Sequence, residues 1–303
     1  MRFLAGFIMQ GRMQAIACAA TSLLLSLLFP PFSLLAAAVV ALVTLRLGWR
    51  EGLNTLLAAS LASGLLGAIV LGNFPFPAGY GLLLWLPIWA VALLLRLSRD
   101  LGLTLEVTTW VGVIGVALVY LIVPDPADFW QQRIQAGFTA LWSQAGVDPS
   151  RWRDQLAVIS RHMTGIMAAG MVSSVALSLL WGRWWQALLF NPGGFRREFL
   201  RLRPRRTTAW LTLGLLSLAV AADGTWRAAV ADMLLVLFVL YVTVGVAVLH
   251  ALLAAHDRKA WLYALYGLML FIPHVFAPIA LVGLSDAWFD WRGRYLPIDD
   301  QSD

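Results

Sequence analysis

The amino-acid sequence predicts an all-α protein: a polytopic transmembrane helical bundle of about nine spans (eight to ten), with a short hairpin at the N-terminus. Three observations carry that expectation. The 303-residue chain is 60% hydrophobic and 13% charged, with a mean hydropathy of +0.78, whereas soluble domains run at roughly 45–50% apolar and about 25% charged. Its apolar residues gather in blocks of about 16–25, the length a helix needs to cross roughly 30 Å of hydrocarbon. Basic residues cluster in short loops between those blocks, the pattern that orients membrane proteins with their positive loops inside.

Taken in order, the blocks are about 14–29, 32–46, 53–72, 80–97, 104–123, 163–188, 208–222, 229–255 and 261–284. Pro30 and Pro31 separate the first two. Each proline lacks a backbone donor and restricts the residue before it, so a tight hairpin is expected there. Arg2 and Arg12, Arg46 and Arg50, Arg96 and Arg99, the run from Arg183 to Arg206, and Arg258 with Lys259 then share one side. That side is expected to be the cytoplasm, with the N-terminus on it. The chain reads as one integral membrane domain, 1–303, with an outward helical segment at 124–162 and a basic cytoplasmic loop at 189–207. All basic residues but Lys259 are arginine, which suggests a high-GC genome.

The net charge of +6 and pI near 10.1 would raise nucleic acid for a soluble chain. Here orientation explains the charge, so no nucleic-acid partner is expected. Cys18 is the single cysteine, which excludes an intrachain disulfide framework. H-E-x-x-H, G-x-S-x-G and Walker A segments are all missing from the sequence. No catalytic residue, metal site or cofactor is implied.

The outward segment contains "PDPADFWQQRIQAGFTALWSQAG", whose apolar face is broad, and "DPSRWRDQLAVISRHM", where Asp148-Pro149 signals a helix start. A helical hairpin, an interfacial cap or a lid over an outward cavity all fit. The basic loop, "NPGGFRREFLRLRPRR", sets six arginines against one glutamate. Phe195, Phe199 and Leu202 fall at i, i+4 and i+7, ringed by Arg196, Arg197, Arg201 and Arg203. A short amphipathic helix is expected, bound to anionic inner-leaflet headgroups or docked to a cytoplasmic coupling protein, or acting only as a topological anchor.

Two ionisable groups inside spans are cavity candidates. Asp232, near the outer end of the eighth span, either lines a cavity, or snorkels, or pairs with Arg227. His274, in "FIPHVFAP", falls near the middle of the ninth span between two prolines, as a ligand or proton site or as a packed helix contact. Asp286 and Asp290 stand at i and i+4, a spacing that can hold Mg²⁺ for a diphosphate. The competing expectation is a helix-end salt bridge with Arg292 or Arg294.

Two segments, Asn191, Gly193, Gly194, Phe195 and Arg196 after the sixth span and Gly283, Asp286, Asp290 and Arg292 after the last, resemble the YybS-like family of bacterial inner-membrane proteins. That family looks distantly similar to the substrate-binding subunits of energy-coupling-factor transporters. The resemblance implies a transport-related protein that takes a ligand from outside. The alternative is a membrane scaffold or regulator that recruits a cytoplasmic partner through the Arg-rich loop. An integral-membrane transferase using Asp286 and Asp290 is a third reading. Nine spans would leave the C-terminus outside, although "WFDWRGR" reads as a cytoplasmic flank; a re-entrant ninth block would return it.

Overall fold

The computed structural model describes residues 1–145, 152–255 and 259–295. Every helix or strand among them is helical. The expected start at Asp148-Pro149 and the basic Arg258 lie outside the described residues. Among the described residues, five helices are long and apolar enough to cross a membrane, or six if one bent pair counts as a single span. That is compatible with a multi-pass membrane protein. Four of the nine expected blocks are thus not simple spans: three are apolar helices of only 14–16 residues, and the ninth is broken.

The chain falls into two compact units that interleave in sequence, Met1–Thr108 with Ser173–Arg201, and Thr109–Val172 with Leu202–Asp303. In the first, α1 (Arg2–Ile8) leads into α2 (Arg12–Leu25) and α3 (Phe32–Leu47). These last two form the hairpin expected at Pro30-Pro31. The helix α3 is apolar on every side, and Ala36 to Leu45 are all buried. A helix hydrophobic all round belongs inside a bundle, and α2, α4 (Trp49–Leu71) and α5 (Pro75–Ser98) enclose it. Its 16 residues are a core helix, which needs less length than a lipid-facing one.

The helix α5 begins inside "LGNFPFPAGYG", expected as a loop. Pro75 opens the helix, where its missing donor costs nothing, and Asn73 Oδ1 accepts the Phe76 N–H at 2.9 Å. At the other end, Arg12 pairs with Glu51 at 2.5 Å, and Arg96 donates to the Leu45 carbonyl at 2.6 Å. The Arg46 guanidinium sits 4.0 Å from the Phe190 ring centroid. Four of the arginine positions that the charge pattern places together, Arg12, Arg46, Arg50 and Arg96, thus border one end of this unit.

The second unit takes the later part of α6 (Leu101–Ile122), the pair α7 (Pro126–Ala145) and α8 (Arg153–Arg161), and the start of α9 (Met163–Phe190). Packing of α7 on α8 makes the segment expected to face outward a helical hairpin. Asp125 caps α7, accepting the Asp128 N–H at 2.9 Å. The short helix α10 (Gly194–Leu200) closes the first unit. The second continues with α11 (Arg206–Ala221), α12 (Gly224–Ala255), α13 (Lys259–Phe271), α14 (Phe276–Phe289) and α15 (Trp291–Tyr295). Val113, Val116, Val172, Val236, Leu237, Tyr241 and Ala280 form its core.

The ninth block is not one span. Pro273 has no N–H to continue the ladder of α13, a single 3₁₀ turn spans Pro273–Val275, and α14 leaves at 117°. Against α12, α14 packs backbone to backbone: a Cβ at Gly245 would strike the Ile279 carbonyl, and one at Gly283 the Tyr241 carbonyl.

Candidate functional site

The most enclosed ionisable group among the candidates is Asp232, on the third turn of α12. Its residues Ala228, Ala229, Val230 and Val236 are buried, which carries the carboxylate into the apolar interior of the second unit, where it is 0% exposed. A buried charge of this kind is costly unless it is fully hydrogen-bonded. Three groups provide those bonds. The Tyr120 hydroxyl of α6 donates to Oδ2 at 2.9 Å, and the Gly165 N–H of α9 donates to the same oxygen at 2.9 Å. His162 Nδ1 lies 2.9 Å from Oδ1.

Gly165 has a specific reason to be glycine, since a Cβ there would lie 2.6 Å from the Asp232 Cα. Only that close approach lets the main-chain N–H reach the carboxylate. Next to it, the Thr164 hydroxyl accepts a hydrogen bond from Trp130 Nε1 of α7 at 2.9 Å, which ties the α7–α8 hairpin to the site. His162 joins α8 to α9 and its side chain is 36% exposed, so one imidazole edge meets Asp232 and the other is accessible. The Ser160 hydroxyl nearby is buried without a hydrogen-bond partner among the described residues.

Asp232 therefore does not pair with Arg227, which instead donates from Nε to the Ala219 carbonyl at 3.2 Å. Its true partners stand 112 and 70 positions away in sequence. His274 is not inside a continuous helix. It lies in the 3₁₀ turn at the break, exposed, because Pro273 ends the helix that was to enclose it.

Asp286 and Asp290 both face arginine. Asp286 is buried, accepts the Trp291 N–H at 3.0 Å and takes Arg292 Nη2 at 2.5 Å. That is the helix-end salt bridge rather than a metal pair. Arg203 reaches Asp286 at 3.7 Å and also pairs with Asp290. Arg292 donates to the Leu202 carbonyl at 2.7 Å, and Arg206 to the Ala287 carbonyl at 3.2 Å. Burial lowers the Arg292 guanidinium from its ordinary value, with Asp286 pulling it back up.

The Arg-rich loop divides accordingly. Asn191, Gly193 and Gly194 form the turn into α10: Gly193 has φ of +82°, which favours glycine, and a Cβ on Gly194 would strike the Asn191 side chain. Phe195 and Phe199 stack at 5.7 Å, half-buried, whereas Arg196 and Arg197 are exposed. Glu198 pairs with Arg183. Arg201 is exposed but not without a partner, and Leu202, expected on the amphipathic stripe, is buried. Only part of this loop is therefore available to a membrane surface or a partner. A further carboxylate, Glu106, is buried in the first two turns of α6.

Compared with protein-family models, curated proteins and solved structures, the chain matches none of them.

Proposed function

We propose that this chain is a transport-related, multi-pass protein of the bacterial inner membrane, similar to a substrate-binding subunit. The observation that carries the reading is the discontinuity between α13 and α14, bent by 117°. Broken helices at membrane depth free backbone groups, and transporters use such breaks to build binding sites. The YybS-like resemblance, which rests on Asn191 to Arg196 and Gly283 to Arg292, points the same way. The N-terminus is cytoplasmic in this reading, because Arg12, Arg46, Arg50 and Arg96 border one end of the first unit and positive loops stay inside. Contacts of Leu202, Arg203 and Arg206 with Ala287, Asp290 and Arg292 support a C-terminal end on the side of the Arg-rich loop, with α13 and α14 as a re-entrant pair.

Native mass spectrometry of the full chain, extracted with its lipids, tests the proposal. A stoichiometric small molecule, or an ATP-hydrolysing subunit at fixed ratio, is the expected result. The bare chain with lipid would overturn it. The exposed Arg196 and Arg197 favour one second reading, a scaffold that recruits a cytoplasmic protein through α10. It predicts that Arg196→Ala/Arg197→Ala abolishes partner recovery without lowering the amount of protein in the membrane.

A further inference from the structure

We infer that His162 and Asp232 form a proton-binding dyad, in which Nε2 of His162 accepts the proton and Asp232 positions the imidazole for it. Asp232 Oδ2 already receives two donors, the Tyr120 hydroxyl and the Gly165 N–H. With both of those donors on Oδ2, Oδ1 is left to accept, and we place the hydrogen between Oδ1 and Nδ1 on the nitrogen. Neutral His162 is then the Nδ1–H tautomer, with the Nε2 lone pair on the accessible edge of the ring.

The step balances simply. A hydronium ion gives its proton to Nε2, one N–H bond forms, water leaves, and the pair passes from a charge of −1 to 0. Other charged groups around the dyad are occupied or turned away. On α6, Tyr120 is spent on Asp232 and bonds the Arg161 carbonyl at 3.4 Å. Asp125 caps α7, and Asp128 holds Gln132 at 2.7 Å. The Arg161 side chain is exposed, and Arg227 is bonded to Ala219. Asp232 makes no ion pair with arginine or lysine among the described residues, so histidine is its single titratable cation. Because His162 is the residue between α8 and α9, the charge change falls at the root of the α7–α8 hairpin.

The dyad goes beyond the transport reading and is measured without a transported molecule. Full-length protein labelled with ¹⁵N-histidine, in lipid nanodiscs, contains four histidines. At neutral pH His162 is expected as the Nδ1–H tautomer, becoming doubly protonated on acidification. His162→Gln removes that signal. Asp232→Asn switches it to the Nε2–H form, and Tyr120→Phe leaves the tautomer in place. Unchanged helical content and elution volume show that each variant is folded; should Asp232→Asn fail to fold, His162→Gln and Tyr120→Phe still decide. A His162 signal that is Nε2–H in the parent protein, or that stays unprotonated down to pH 5, overturns the dyad.

Discussion

Asp286 and Asp290 share Arg203 but occupy different surroundings, and the difference sets what each contributes. Asp286 is 1% exposed and holds Arg292 across the left-handed break at Asp290, whose φ is +45°. Removing its charge breaks the buried pair that it makes with Arg292 at 2.5 Å, and breaking such a pair costs roughly 3–5 kcal/mol. Asp286→Asn is therefore expected to lower the thermal unfolding midpoint in detergent sharply. The Asp290 side chain is about half exposed, as is Arg203, and such pairs contribute about 1 kcal/mol or less. Asp290→Asn is expected to move the midpoint little, and equal effects of the two variants would count against this division. The sequence shows the i, i+4 spacing and the nearby arginines, so the salt bridge is legible in it. Which aspartate is buried is not, because that depends on Leu202 and Arg203, more than 80 positions upstream.

At the scale of elements, the contact between α12 and α14 depends on two glycines that let the helices touch along their backbones. Gly283→Val forces side-chain atoms into the Tyr241 carbonyl, and overpacking of this kind costs about 1–3 kcal/mol. The expected outcome is a lower unfolding midpoint and faster proteolysis within 276–295, with Gly267→Val, at a site open to space, as the control. If both variants behave alike, the contact does not hold α14 in place. Helices with their own signals were readable locally: the prolines at 30 and 31, Pro126 behind Asp125, and the turn at Gly193. Pro273 was readable as a break that left a bent span and a re-entrant block both open, since the sequence does not say whether a proline bends a span or ends it. Packing decides, and α14 turns away because α12 offers it Gly245. The role of α3 was hidden for a related reason, as apolar residues read alike whether they face lipid or other helices.

At the scale of the whole molecule, contacts within the second unit set the C-terminal end beside the start of α11. Cysteines introduced by Thr207→Cys and Arg294→Cys, in a Cys18→Ala background, are expected to share one accessibility to a membrane-impermeant maleimide in intact cells. Labelling of one and protection of the other would mean that the contacts between the start of α11 and the C-terminal end do not hold in the membrane. Composition and block length by themselves determined the all-helical class, the membrane-like character and the grouping of basic ends, because these follow from residue type and from a fixed rise per residue. Only the tertiary structure decided how many blocks are long enough to span, where the chain breaks, and which residues meet at Asp232. Tyr120, His162 and Gly165 carry no local signal that links them to a carboxylate on α12; they converge because a buried carboxylate demands hydrogen-bond partners, and α6, the α8–α9 junction and α9 supply them there.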